Sequence, residues 1–549
     1  MSLKPEPIGS VPEETARIVH AAFPKGNRYM LLRNELGTLY QDELFADLFP
    51  ACGQPAEAPW RLALVTLMQF LEGLSDRQAA EAVRSRLDWK YLLGLPLDDP
   101  GFDASVLTEF RDRLQTDGAA LRLLTQLLEH ARGQGLLRER GAQRTDGTHV
   151  VAAVRRLNRV QLVQETMRHV LDVLALVAPS WLLQHTAPEW QERYAGEFIR
   201  RLPTTESARE RLAETIGRDG TALLAAIDAP ISPVFLPQVE AVVTLRQVWA
   251  QQYEQDEAGP HFRRSEQLAP AAELTASPYD RDARFTARRQ TSWTGYIVHL
   301  TETCEPDLPC LVVGIETTPA TTPDAMVLPT IQQGLATRSL LPGTQVVDGG
   351  YSTADAVLTS QETHGITLIG PMQPDSSWQA RAGEGFDLPH FALDWEHQTA
   401  TCPQGKTSST WRETTNQRGA AVIQIHFRQA DCQPCPVREQ CTRAERRSLV
   451  VYPRPLHEAR VRAQQAEGTT TFRAAYRHRA GIEGTISRGV RTAGLRHTRT
   501  RGLPQVRLEH LLLGTSLTFA RLAAWFHGDR RPATRRRPFM RLMAASFSP

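Results

Sequence analysis

Three carboxylates in this chain stand in settings that call for chemistry. Asp146 lies in Arg144-Thr145-Asp146-Gly147-Thr148-His149-Val150-Val151, which reads as a strand. An acid inside an apolar strand is expensive unless it binds something. Asp348 ends the strand candidate Gln345-Val346-Val347 and precedes Gly349-Gly350-Tyr351, where glycines let a partner approach the backbone closely. Glu483 closes Tyr476-Arg477-His478-Arg479-Ala480-Gly481-Ile482-Glu483, and Tyr476, Arg479 and Glu483 (i, i+3, i+7) share one helix face. Acids on strand ends and a helix face suit two divalent ions about 4 Å apart, which together activate a nucleophile and stabilise a leaving oxygen in phosphodiester cleavage. Mg2+ or Mn2+ is expected, since hard ions take carboxylate oxygens. Glu483 would bind metal, Arg479 phosphate oxygens, and Tyr476 would donate a hydrogen bond or stack. The acids are far apart in sequence, by 348 − 146 = 202 and 483 − 348 = 135 residues, so the fold must bring them together. Taken singly, each has a plainer reading: Asp-Gly is a common turn, and Arg479–Glu483 is an i, i+4 surface ion pair. His149 falls on the strand face opposite Asp146 and is read as structural or DNA-contacting.

A second set is sulfur. Of seven cysteines, Cys52, Cys304 and Cys310 are scattered, while Cys402, Cys432, Cys435 and Cys441 cluster. Cys432-x2-Cys435 has knuckle spacing, Cys441 follows, and Cys402 in Thr401-Cys402-Pro403-Gln404-Gly405-Lys406 would be a fourth ligand for a structural Zn2+. The alternative is four reduced cysteines in a loop.

The elements that must position these residues change period along the chain. Residues 58–114 read as short helices: Trp60 to Leu71 has helical spacing, Gly73 stops it, and Ser75 with Gln78 forms a capping box. A helix-turn-helix and a plain bundle are equally good readings of this region. Further helices are expected at 104–114, capped by Asp103, and at 119–132. After the strand at 144–151, helical patterning runs from 157 to 253, and 259–289 reads as loop. Strands follow at 295–300, 310–316, 344–347 and 366–369, with a helix at 324–336. Helical character resumes near Phe472 and from Gln505 to Phe526. The fold class is therefore mixed α/β. The domains are an amino-terminal helical, DNA-binding domain (1–135), a catalytic core (136–156, 259–370, 471–527), a helical insertion (157–258), an irregular Cys-containing insertion (371–470) and a basic tail (528–549).

The bulk numbers are those of a soluble protein: 549 residues, 41% hydrophobic, 23% charged. Formal net charge is only +2, yet residues 470–541 carry 16 arginines against Glu483, Glu509 and Asp529, which suits a polyanion. Arginine is favoured everywhere, however, with only four lysines in the chain. No apolar run is long enough to span a bilayer, and the start lacks a signal-peptide pattern, so a cytoplasmic location without membrane contact is expected.

TDGTHV, VVDGGYS and Y-x2-R-x3-E together resemble the three catalytic segments of DDE transposases of bacterial insertion sequences, the last being the Y-R-E signature of one branch. That signature usually ends in a lysine seven residues after the glutamate; here the position is Val490, flanked by Arg488 and Arg491. The resemblance extends to residues 74–114 and, in ordered blocks, over about 30–527. It implies an RNase-H-like core, two Mg2+ or Mn2+ ions, no covalent protein–DNA intermediate, and hydrolysis followed by strand transfer. It also implies double-stranded DNA partners (element ends and target), a homo-oligomer on DNA, and a bacterial, nucleoid-associated location when bound. Arg488, Arg491, Arg496, Arg499 and Arg501, close behind Glu483, are expected on the DNA backbone. The competing functions are a decayed or domesticated DNA-binding protein and an RNase-H-like nuclease that cuts without joining.

Overall fold

A computed structural model describes the chain except residues 1, 6, 38, 197–201, 258, 289, 384, 418, 530–538 and 540–549. Of the expected basic tail, only Gly528, Asp529 and Phe539 are among the described residues. The chain forms two units: Met1–Arg138, Gly147–Thr322 and Gly484–Pro549 make the first, and Glu139–Asp146 with Pro323–Glu483 the second. One strand, β1 (Arg140–Val151), contributes to both, and the boundary falls directly after Asp146.

In the first unit, helix Pro59–Glu72 is buried on nearly every side, from Trp60 through Leu71. Pro59 starts it where a missing amide costs nothing, and Gly73 ends it at φ 69°. The expected capping box is present: Gln78 N donates to Ser75 Oγ at 3.3 Å and Ser75 N to Gln78 Oε1 at 2.9 Å. A helix so enclosed has no face to lay in a DNA groove, which favours the bundle reading for that element. Helix Ser105–Leu114 takes Asp103 at its start, whose Oδ1 accepts from Ser105 N at 2.8 Å. The block expected to be helical is Arg159–Gln252, in five helices around Met167, Val170, Ile216, Leu245 and Trp249. The stretch 259–289, read as loop, is partly ordered. A hairpin joins β2 (Tyr253–Asp256) to β3 (Gly259–Phe262), and β4 (Arg284–Arg288) pairs antiparallel with β5 (Thr291–Thr303). These strands are short and mostly solvent-facing, so their pairing rather than apolar periodicity makes them. β5 also pairs with β6 (Val312–Pro319) and is buried from Trp293 on. Helix Leu503–Phe526 packs on β6, where Thr518 Oγ1 bonds the backbone of Val312.

In the second unit, β1 runs parallel to β7 (Pro342–Val346), and β7 runs parallel to β8 (Thr367–Ile369). The strand order is β4-β5-β1-β7-β8, with β6 on β5: a mixed sheet, parallel on one side and antiparallel on the other. Helices Asp324–Ala336 and Ala354–His364 follow β6 and β7 in sequence. Residues 371–470, expected to be irregular, are largely ordered. β9 (Ala392–Asp394) and β10 (Thr399–Thr401) form a hairpin, and β11 (Thr410–Thr415), β12 (Ala421–His426) and β13 (Ser448–Val451) form an antiparallel sheet. Helix Arg454–Glu467 then packs against Ala354–His364. The small sheet has its own core of Phe391, Ala400, Ile423, Ile425, Phe427, Leu449 and Val451.

Candidate active site

The register of the parallel pair positions two of the acids. Arg144 lies opposite Val346, the last pair of the ladder; Asp146 follows two residues further along β1, and Asp348 lies two residues beyond the end of β7. Both carboxylates act on the same two side chains, Tyr476 and Arg479, which the ladder and the chain leaving β7 bring beside them. A buried polar chain locks that register. Gln345 Nε2 donates to Thr145 Oγ1 at 2.8 Å, and Gln332 Nε2 donates to Gln345 Oε1 and Ser360 Oγ, both at 2.9 Å. A slip of one residue would leave these amides buried without partners.

Glu483 comes from the helical side, though not from one regular helix as the spacing predicted. Helix Thr470–Tyr476 gives way to a 3-10 turn, Arg477–Arg479, before helix Ala480–Ala493. Arg144, buried in β1, explains the break. Its Nη1 donates to His478 O at 2.5 Å, a carbonyl that a regular α-helix would offer to residue 482. Gly481 is the space for that guanidinium: a Cβ there would lie 1.9 Å from Arg144 Nη1 and 2.3 Å from Cζ. Strand and helix are thus clamped two residues before Asp146 and two before Glu483.

Arg479 connects the acids directly. Its Nη2 donates to Asp146 Oδ2 at 2.9 Å and its Nη1 to Glu483 Oε1 at 2.8 Å. Burial opposes its charge, but Asp146, Glu483 and Asp348 around it raise its pKa above the ordinary arginine value. Arg479 Nε is buried without an acceptor. Tyr476, stacked on Phe472 at 5.8 Å, has its pKa raised by burial and by the field of Asp348, Asp146 and Glu483. The phenol therefore remains a proton-bearing donor facing the acids. Asp146 is 7% exposed, Asp348 is half-buried with Oδ1 accepting from Gly350 N at 2.8 Å, and Glu483 is open to solvent.

Sequence reasoning missed Arg144 and also Asp324, the first residue of helix Asp324–Ala336. A Cβ on Gly350 would lie 2.7 Å from Asp324 Oδ2 and 3.0 Å from Asp348 Oδ1, so Asp324 stands beside the second acid. Gly350 itself was the available signal: a glycine where two carboxylates crowd the backbone.

Of the other expected site residues, the five arginines, Arg488, Arg491, Arg496, Arg499 and Arg501, fall in the first unit and the four cysteines in the second. Arg496 Nε donates to Thr148 Oγ1 at 3.0 Å, Arg501 Nε to Ala153 O at 3.1 Å, and Arg499 reaches the carbonyls of Gly73 and Leu74. Burial lowers the pKa of Arg488, with Arg521 and Arg28 adding to the effect. His149 is also in the first unit, its ring against Trp293. Val490, where the signature lysine would stand, is half-buried. Cys402, Cys432, Cys435 and Cys441 all line one cavity in the second unit. The pKa of Cys441 is pushed up by burial and by the three other thiols, against Arg447.

As placed, no three His, Cys, Asp or Glu side chains among the described residues form a ready metal cage. The acids nonetheless fit a hard divalent ion: their donors are all carboxylate oxygens, and two of them, Asp146 and Glu483, already pair with a cation, the Arg479 guanidinium. No helix among the described residues is long and apolar enough to cross a membrane.

An acid within β1, joined by an arginine to a helix-borne acid and with Asp348 nearby, makes a candidate phosphoryl-transfer site. Residues 401–523 match the family described as Transposase DDE domain, and residues 18–113 match Transposase domain (DUF772). The matches span 123 and 96 residues, 219 of 549 together. Each of the two segments is thus similar to a transposase domain, one of them the DDE domain. The first match contains Glu483 and all four clustered cysteines, while Asp146 and Asp348 lie outside both. No curated protein matches the chain.

Proposed function

We propose that this chain is a transposase that cleaves phosphodiester bonds at the ends of its element and joins them to target DNA, using Asp146, Asp348 and Glu483 in an RNase-H-like core. The observation that carries the reading is the Arg479 bridge from Asp146 to Glu483, supported by the field of Asp348 at the same guanidinium. Two Mg2+ or Mn2+ ions held by these carboxylates would supply an activated water or 3′-hydroxyl and charge neutralisation at the leaving oxygen. The chain's own side chains do the rest. The Gln345–Thr145 bond and the Arg144–His478 clamp hold the acids in place before DNA arrives, so little reorganisation is needed. Arg479 is a charged donor set between two of the acids, and its guanidinium would pair with a phosphate oxygen of the scissile strand once metal takes over the carboxylates. Tyr476 keeps its proton and can donate to the same phosphate or lie under a base.

The test uses a plasmid carrying this gene with its flanking DNA, incubated with purified protein and Mg2+. Asp146→Asn, Asp348→Asn and Glu483→Gln should each reduce cleavage at the element boundary by at least about a thousandfold while retaining duplex binding. A pre-cleaved end bearing a 3′-hydroxyl separates joining from cutting. Cleavage surviving any one of the three substitutions would remove that residue from the site.

A further inference from the structure

We propose that Cys402, Cys432, Cys435 and Cys441 bind one structural Zn2+ that closes the small β-domain inserted between Asp348 and Glu483. The four cysteines come from separate elements: Cys402 follows β10, Cys432 ends helix Gln429–Cys432, Cys435 is in the following turn, and Cys441 ends helix Arg438–Cys441. All four nevertheless line the same cavity, and none is in a disulfide. Two of them already have the backbone environment of a thiolate ligand. Lys406 N donates to Cys402 Sγ at 3.4 Å, across a tight turn in which Gly405 takes φ +74°, and Arg447 N donates to Cys432 Sγ at 3.5 Å. Amide-to-sulfur bonds of this kind stabilise negative sulfur and orient it.

The charge around the cavity has the required sign. Four thiolates and one Zn2+ leave −4 + 2 = −2, and Lys406, Arg438 and Arg447 line the same walls, against Asp431 alone. Arg447 is also anchored as an outer support, with Nη1 donating to Cys441 O at 3.0 Å and Nη2 to Phe386 O at 3.2 Å. Sulfur donors select Zn2+ over Mg2+ or Ca2+, so this site would not compete with the carboxylates for one ion. Binding would draw the four sulfurs to about 3.8 Å from one another, from a Zn–S bond of about 2.3 Å in a tetrahedron.

Energetics supply the reason for a metal here. The core of this β-domain is seven buried apolar residues, with Cys402, Cys432 and Cys441 at its margin. A core that small contributes little net stability, and a structural ion is one of the few ways to supplement it.

The experiment measures metal in the purified full chain, then in variants, independently of DNA cleavage. Wild-type protein should hold one zinc per chain, released by a mercurial thiol reagent. Cys402→Ser and Cys435→Ser should each lower the zinc content several-fold, whereas Cys304→Ser, outside the cluster, should keep it. If the serine variants do not fold, cobalt exchanged into wild-type protein decides: intense visible bands of a tetrahedral site with sulfur-to-cobalt charge transfer are expected. Zinc-free wild-type protein from zinc-supplemented growth, zinc retained in the Cys402→Ser, Cys435→Ser double variant, an octahedral cobalt spectrum, or disulfides among the four cysteines would each overturn the proposal.

Discussion

Replacing Gly481 by alanine tests whether the clamp between Arg144 and the Glu483 helix holds the site together. Gly481 is the second residue of helix Ala480–Ala493, where alanine ordinarily stabilises by up to about 1 kcal/mol. Here the added Cβ would sit 1.9, 2.3 and 2.5 Å from Nη1, Cζ and Nη2 of Arg144. Real Cβ contacts stay beyond 3.0 Å, so the guanidinium must retreat by about 3.0 − 1.9 = 1.1 Å. A displacement of that size along the bond breaks its 2.5 Å hydrogen bond to His478 O. Arg144 is only 6% exposed, and losing a charged hydrogen bond there costs roughly 1.5–3 kcal/mol. Set against the helix-propensity gain, Gly481→Ala should be destabilising by roughly 0.5–2 kcal/mol in urea unfolding, the opposite sign to an ordinary helix glycine. Cleavage should fall more than tenfold, because Glu483 shifts relative to Asp146. In an Arg144→Met background the stability penalty of Gly481→Ala should shrink by about 1 kcal/mol or more, as expected for side chains in direct contact. A stabilising Gly481→Ala, or a penalty unchanged in that background, would refute the clamp.

The ion pair and the arginines give further expectations. Arg479→Gln removes the guanidinium that pairs with Asp146, whose side chain is only 10% exposed, which should lower stability by roughly 1–2 kcal/mol in EDTA. Millimolar Mg2+ should then raise the melting temperature more in Arg479→Gln than in wild type; equal rises would mean that Arg479 and the ion do not share the acids. Substituting Arg496, Arg499 and Arg501 together should weaken binding to all duplexes alike and flatten the salt slope by about one unit per lost phosphate contact. Unchanged affinity and slope would assign these arginines to the carbonyls and hydroxyl they contact in the first unit. His299 and His510 are buried, which pushes both down to about 3 from 6.5. They are neutral in the fold and charge readily when unfolded, so their stabilising contribution is complete above about pH 6.5. It falls by about 1.4 kcal/mol per pH unit for each histidine as pH drops from there toward 3. His299→Gln should flatten the acid limb of the stability curve, and an unchanged limb would show that His299 does not set it.

Elements with strong local signals were legible in the sequence. Helix Asp324–Ala336 has the bounds its pattern implied, the Ser75–Gln78 box caps the helix that follows it, and β1 and β5 appear where apolar runs predicted strands. Asp146 stood out as an acid inside an apolar strand, and Asp348 as an acid just after one, each against the burial pattern around it. The β-domain of residues 392–451 was illegible because its strands are only three to six residues long, and one of them, Thr410–Thr415, is mostly exposed. Their order comes from pairing and from a core assembled across some sixty residues of chain, which no local period records. The 3-10 turn at Arg477–Arg479 and the place of Asp324 beside Asp348 were hidden for a related reason. Each depends on a side chain more than twenty residues away in sequence, Arg144 in one case and the Asp348 carboxylate in the other.

The central claim is that three carboxylates distant in sequence hold one metal-ion site, and the most direct measurement locates the ion in the chain. Fe2+ is loaded in place of Mg2+ and treated with ascorbate and peroxide, so that radicals formed at the ion cut the nearest backbone, and the fragments are mapped. The account predicts cuts clustered near residues 146, 348 and 483, suppressed together by excess Mg2+ and lost together in Asp348→Asn. Cuts at only one of these positions, or a set that Mg2+ does not suppress, would contradict it.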